Sequence, residues 1–133
     1  LCVEGMLDGK PTAVLLTRGD RYAAELLEEL RERTPGIRIL CAGKLPSGTA
    51  EKLSLRDALT PAERRGRGNA YARGGWWLHD RILTDTTLTV IRADVFARRD
   101  LLDPRSGTPL PTYRRQRYTG GIGRYFPIFL YIK

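Results

Sequence analysis

The sequence predicts an α+β fold with an α/β-like ββαβ start: a small mixed or antiparallel sheet, one main helix, and a β-rich, basic C-terminal half. Three observations carry this reading. Asp8-Gly9 separates two apolar runs, 1–7 and 11–17, and that dipeptide supplies the positive φ angles of a tight hairpin turn. Between residues 20 and 33 apolar side chains recur three and four residues apart, the period of a helix with one buried face. From residue 76 onward β-branched and aromatic residues gather in short runs broken by Gly, Pro and Asp, which is strand-and-turn composition.

In the helix, Asp20 stands as the N-cap, and Tyr22, Ala23, Leu26, Leu27 and Leu30 share the inward face. Glu25, Glu28, Glu29, Arg31 and Glu32 take the other face, with Glu29 and Arg33 forming a favourable i,i+4 pair. Thr34-Pro35-Gly36 stops the helix and 37–42 reads as the next strand. The loop 43–48 contains Gly, Lys and Ser without the order of a phosphate-binding GxxxxGK[ST] loop. Residues 54–57 and 60–63 both have the form of N-terminal caps, the second with Pro61 at the first helical position.

Residues 64–75 read as a flexible basic loop, because glycine recurs through it. Strands are expected over 76–83 and 87–96, joined as a hairpin at 84–86, with a bulge where the apolar phase shifts between Val90 and Ile91. Adjacent strand residues point to opposite faces, so one of Trp76 and Trp77 is expected inside and the other outside. A loop over 104–111, a basic aromatic segment over 113–118, a turn at 120–123 and a strand over 124–133 complete the chain. Pro127 confines that last strand to an edge or a bulge. With neither internal repeats nor a linker, 1–133 is expected to be a single domain.

A chain of 133 residues with 41% hydrophobic content can bury a core without disulfides. Cys2 and Cys41 lie in apolar contexts with neither CxxC spacing nor a neighbouring His, so they are expected to be buried, reduced and structural. There is no signal-peptide pattern, and the longest apolar run, 125–132, is too short to span a bilayer. A cytoplasmic protein without a membrane partner is expected. Leu1 stands where an initiating Met is usual, which leaves open what precedes it.

The charge is unevenly placed. Residues 1–60 carry nine basic against nine acidic side chains, whereas 61–133 carry fourteen against six, the whole of the net charge of +8. From Pro104 onward there are five Arg and one Lys and no acid. Arginines outnumber lysines nineteen to four, and a guanidinium offers the planar fork that grips phosphate and stacks on rings. Residues 64–75 resemble in composition the Arg/Gly segments that bind RNA, with Arg73-Gly74-Gly75 as the literal match. Arg64, Arg65, Arg67 and Arg73, with Tyr71 as a stacking platform, are therefore candidate nucleic-acid contacts. Tyr113, Arg114, Arg115, Arg117, Tyr118 and Arg124 interleave cations with rings in the same manner, and Trp76 is a further stacking candidate. RNA or a single strand is expected in preference to a DNA duplex, since no helix-turn-helix is present.

Two other classes stand beside this one. An enzyme or sensor could hold an anionic metabolite through Arg81, Arg92 and Arg124, with His79 or Asp80 moving a proton and Asp85 or Asp94 orienting His79. Alternatively, edge-strand pairing in a homo-oligomer, a ribonucleoprotein or a virion would make the chain a structural subunit. One histidine and two distant cysteines provide no metal-ligand set, and no cofactor is expected.

Overall fold

The computed structural model describes residues 2–18 and 21–133, so the cap expected at Asp20 lies outside the described residues. The chain is shared between two compact units. The first takes the residues up to Ala58, then Asp80–Arg92 and Leu130–Lys133; the second takes Leu59–His79 and Ala93–Phe129. Strand outweighs helix, 38% to 19%, which makes the fold broadly α+β.

In the first unit β1 (Cys2–Leu7) and β2 (Lys10–Leu16) are antiparallel, with Leu7 opposite Lys10. Asp8 and Gly9 turn the chain at φ 50° and 69°, the two successive positive values that a two-residue hairpin needs. Next comes α1 (Arg21–Arg33), and β3 (Arg38–Ala42) then runs parallel to β2. A parallel neighbour requires a crossover, and the helix is that crossover. Its Ala23, Leu27 and Leu30 pack on Ala13 and Leu15 of β2 and on Ile39 of β3, with Leu53 closing the cluster. Glu29 and Arg33 form the expected i,i+4 pair at 2.7 Å on the exposed face.

The ββαβ start describes only part of this sheet, which gains two more strands. Beyond α2 (Thr49–Lys52) lies β4 (Leu55–Asp57), and β7 (Ile82–Asp85) inserts between β3 and β4, antiparallel to both, in the order β1-β2-β3-β7-β4. Residues 54–57, expected to begin a helix, are thus largely a strand. Ser54, at φ 53°, turns the chain out of α2, and β7 offers Leu55 to Asp57 a ladder to join. Cys41 is fully buried in β3, and burial pushes its thiol up to about 11, so it stays protonated and inert. Cys2 is free as well but only half-buried, which corrects the expectation that both are buried.

The hairpin expected at 84–86 does not form. All four residues of β7 are buried and both of its edges are occupied, so no ladder remains for the following strand. Asp85 redirects the chain instead. Its carboxylate accepts the Thr87 N–H at 3.0 Å and an Arg31 N–H at 2.6 Å, which ties β7 to α1. The following strand, β8 (Val90–Val95), pairs with β11 (Ile128–Ile132). The last strand is shorter than expected because Pro127 has no N–H to donate; its carbonyl accepts the Phe96 N–H at 2.7 Å.

In the second unit α3 (Thr60–Arg64) begins one residue before the expected start, with Leu59 as its N-cap and Pro61 in its first turn. Residues 64–75 are not a flexible loop. They run from the end of α3 into β5 (Ala70–Ala72), which pairs antiparallel with β6 (Gly75–Trp77). Arg73 at φ 51° and Gly74 at φ 79° make the turn between them, the two successive positive values of a two-residue hairpin. Gly68 lies so close to β6 that a Cβ there would stand 2.5 Å from the Trp77 nitrogen. Tryptophans 76 and 77 are both exposed, at 38% and 59%, contrary to the expectation of one inside. Trp76 is the less exposed of the two because one face of its ring rests on Phe126. A second small ribbon joins β9 (Tyr113–Arg114) to β10 (Arg117–Tyr118) through Arg115 and Gln116 at φ 47° and 66°.

Candidate nucleic-acid interface

The site is built around Asn69, which is fully buried in the second unit. Its backbone N–H donates to the Trp77 carbonyl at 3.0 Å, and its backbone carbonyl accepts the Phe126 N–H at 2.8 Å. Its side chain accepts the His79 N–H at 2.7 Å and donates to the Phe126 carbonyl at 3.3 Å. One amide thus sets the positions of residue 79 and of the 125–126 segment. The two rings meet as a consequence: His79 stacks on Tyr125 with centroids 4.8 Å apart and planes 14° from parallel. On the other side of this segment Trp76 stacks on the buried Phe126 at 5.5 Å and meets Tyr71 edge-on at 5.4 Å.

A second support is Asp103, which is 3% exposed. Its carboxylate accepts the Arg105 N–H at 2.9 Å and pairs with the Arg114 guanidinium. The Arg105 N–H, followed by Arg114, holds its carboxyl below the usual carboxylate range. Backbone bonds from Asp103 N–H to Thr108 O and from Gly107 N–H to Asp103 O, both 2.8 Å, close this loop and present Arg105 at its tip.

These two supports frame an open cleft of about 620 Å³ lined by Tyr71, His79, Arg105, Arg114, Arg124 and Tyr125, with Ser106 and Thr108 adding hydroxyls. Arg114 is neutralised by Asp103. Neither Arg105 nor Arg124 has a carboxylate partner among the described residues, and neither ring nitrogen of His79 has a hydrogen-bond partner there. The cleft therefore combines unspent cationic donors with exposed rings, which is a surface for an aromatic anion.

Of the residues expected at the site, Tyr71, Arg114 and Arg124 line the cleft. Trp76 supports it through Tyr71. Tyr113 and Tyr118 meet edge-on at 5.6 Å, with Arg115 and Arg117 exposed on the same ribbon. Arg73 is at the exposed turn of the other hairpin, and Arg64 ends α3 in solvent. Arg65 and Arg67 are engaged by the buried Asp94, at 3.5 Å and 3.0 Å. Both carboxylates expected to orient His79 are committed elsewhere, Asp85 to Arg31 and Asp94 to these two arginines. Of the arginines expected to hold a metabolite, Arg124 lines this cleft, and Arg81 pairs with Asp57 at 2.8 Å in the first unit.

Arg105 was not legible as a site residue. Asp103-Pro104-Arg105-Ser106-Gly107 does announce a turn, and an Asp accepting the N–H two residues on is its local signature. Among the described residues no three His, Cys, Asp or Glu side chains gather as a metal site would need, and no helix is long and apolar enough to cross a membrane. No protein family, no curated protein and no solved structure matches the chain.

Proposed function

We propose that the second unit binds single-stranded nucleic acid, RNA in preference to a DNA duplex, in the cleft between the 103–111 loop and the Tyr125 segment. One observation supports this most: two guanidiniums without acid partners, Arg105 and Arg124, share an open cleft with the rings of Tyr71, His79 and Tyr125. Charge holds the phosphate and rings stack the base, a division of labour that tolerates any sequence and needs an unpaired strand. The exposed Tyr113–Tyr118 ribbon extends the same chemistry. On this reading the protein works in the cytoplasm.

The test is fluorescence anisotropy of a labelled single-stranded RNA and a matched DNA duplex across a salt series. If about three phosphates are neutralised, single-strand affinity falls roughly twentyfold from about 50 to about 200 mM salt. Arg105→Ala with Arg124→Ala should flatten that slope by about 1.4. Equal affinity for the duplex, or an unchanged slope in the double variant, rejects the reading.

The volume of the cleft favours one alternative, a small anionic metabolite, since about 620 Å³ suits a single small ligand. Competition separates the two: a mononucleotide that displaces RNA only at far higher concentration than an oligonucleotide supports the strand.

A further inference from the structure

We infer that this cleft cleaves the RNA it holds, with His79 as the general base at a ribose 2′-hydroxyl; the inference rests on the binding reading above. Three observations lead to it. The imidazole is exposed, yet its ring is held against Tyr125 at 4.8 Å and its backbone against Asn69 at 2.7 Å. Both of its ring nitrogens lack a partner among the described residues. Arg105 and Arg124 line the same cleft without acid partners. The ring is oriented by stacking while its nitrogens stay open to a ligand, as a general base requires.

The chemistry balances without a co-reactant. The neutral His79 imidazole takes the 2′-hydroxyl proton, and the 2′-oxygen attacks the adjacent phosphorus. The new bond is O2′–P and the broken bond is P–O5′. The departing 5′-oxygen receives a proton from the imidazolium, directly or through one water, which restores neutral His79. The products are a 2′,3′-cyclic phosphate and a 5′-hydroxyl, and nothing is oxidised or reduced. Arg105 and Arg124, which line the same cleft, would hold the non-bridging oxygens as negative charge accumulates on them, the role of donors in phosphoryl chemistry. Arg114, neutralised by Asp103, positions the loop that carries Arg105.

The experiment is a single-turnover cleavage assay with protein in saturating excess over an end-labelled single-stranded RNA, so that any change in affinity drops out. A matched strand with 2′-deoxyribose throughout should be bound and left intact. Against wild type, His79→Ala should lose roughly a hundredfold or more in rate, and added imidazole should restore part of it, a recovery that a misfolded variant cannot show. His79→Gln, run beside it, should be equally slow and gain less from imidazole. Binding without cleavage, or cleavage unchanged in both variants, overturns this inference and leaves the binding reading standing. Absence of RNA binding in the anisotropy assay overturns both.

Discussion

The side-chain carbonyl of Asn69 accepts the backbone N–H of His79 at 2.7 Å, while the amide nitrogen of the same side chain donates to the Phe126 carbonyl at 3.3 Å. A fully buried amide thus holds the two strands of chain whose rings, His79 and Tyr125, stack in the cleft.

Asn69→Ala should therefore destabilise the protein by about 1 to 3 kcal/mol, since it leaves the buried Phe126 carbonyl and the part-buried His79 N–H without their side-chain partner. Urea unfolding, followed by tryptophan fluorescence, reads this directly. RNA affinity should fall with it, because the stack that forms one wall of the cleft loses its anchor.

Asp94 predicts changes of opposite sign in stability and binding. Its carboxylate, 7% exposed, meets Arg67 at 3.0 Å and Arg65 at 3.5 Å and accepts the Val95 N–H at 2.8 Å. Asp94→Asn should cost about 1 to 3 kcal/mol of unfolding free energy. It should also tighten RNA binding at low salt by releasing two guanidiniums to solvent. A variant that loses stability with no gain in affinity would place Arg65 and Arg67 outside the interface.

Asp103 gives the pH dependence. Its folded-state pKa is depressed, first by the Arg105 N–H, so its stabilisation is present above the unfolded carboxyl value, about 3.9, and is lost as pH falls through the lower folded value. Wild type should lose stability on acidification below about pH 4, and Asp103→Asn should show a shallower fall over the same window in thermal melts. Parallel curves would contradict the assignment.

What could be read from sequence was whatever is decided locally. Asp8-Gly9 makes its own turn, and the 21–33 helix carries its own period, so both stand where expected. The place of β7 was not legible, because choosing between Thr87 onward and two distant strands as a partner depends on burial of all four of its residues, a property of the assembled sheet. The hairpin at Arg73-Gly74-Gly75 was not legible because one composition serves two purposes, flexibility in a loop and positive φ in a hairpin turn. The cleft combines Arg114 and Arg124, which composition flagged, with Arg105, whose place is set by a buried carboxylate two residues before it. Asp85 and Asp94 could be linked to His79 only through a hairpin that does not form.

The insertion of β7 between β3 and β4 also bears on how the chain is made. A ribosome finishes β4 at Asp57 and does not complete β7 until Asp85, an interval of roughly 1 to 6 s at ordinary elongation rates. Throughout it the nascent sheet displays two bare strand edges, the kind of surface that recruits chaperones or other unfinished chains. A fragment ending at Ala58 would keep those edges permanently. Expression trials of the first unit should therefore join 80–92 and 130–133 to 1–58 in place of a simple truncation.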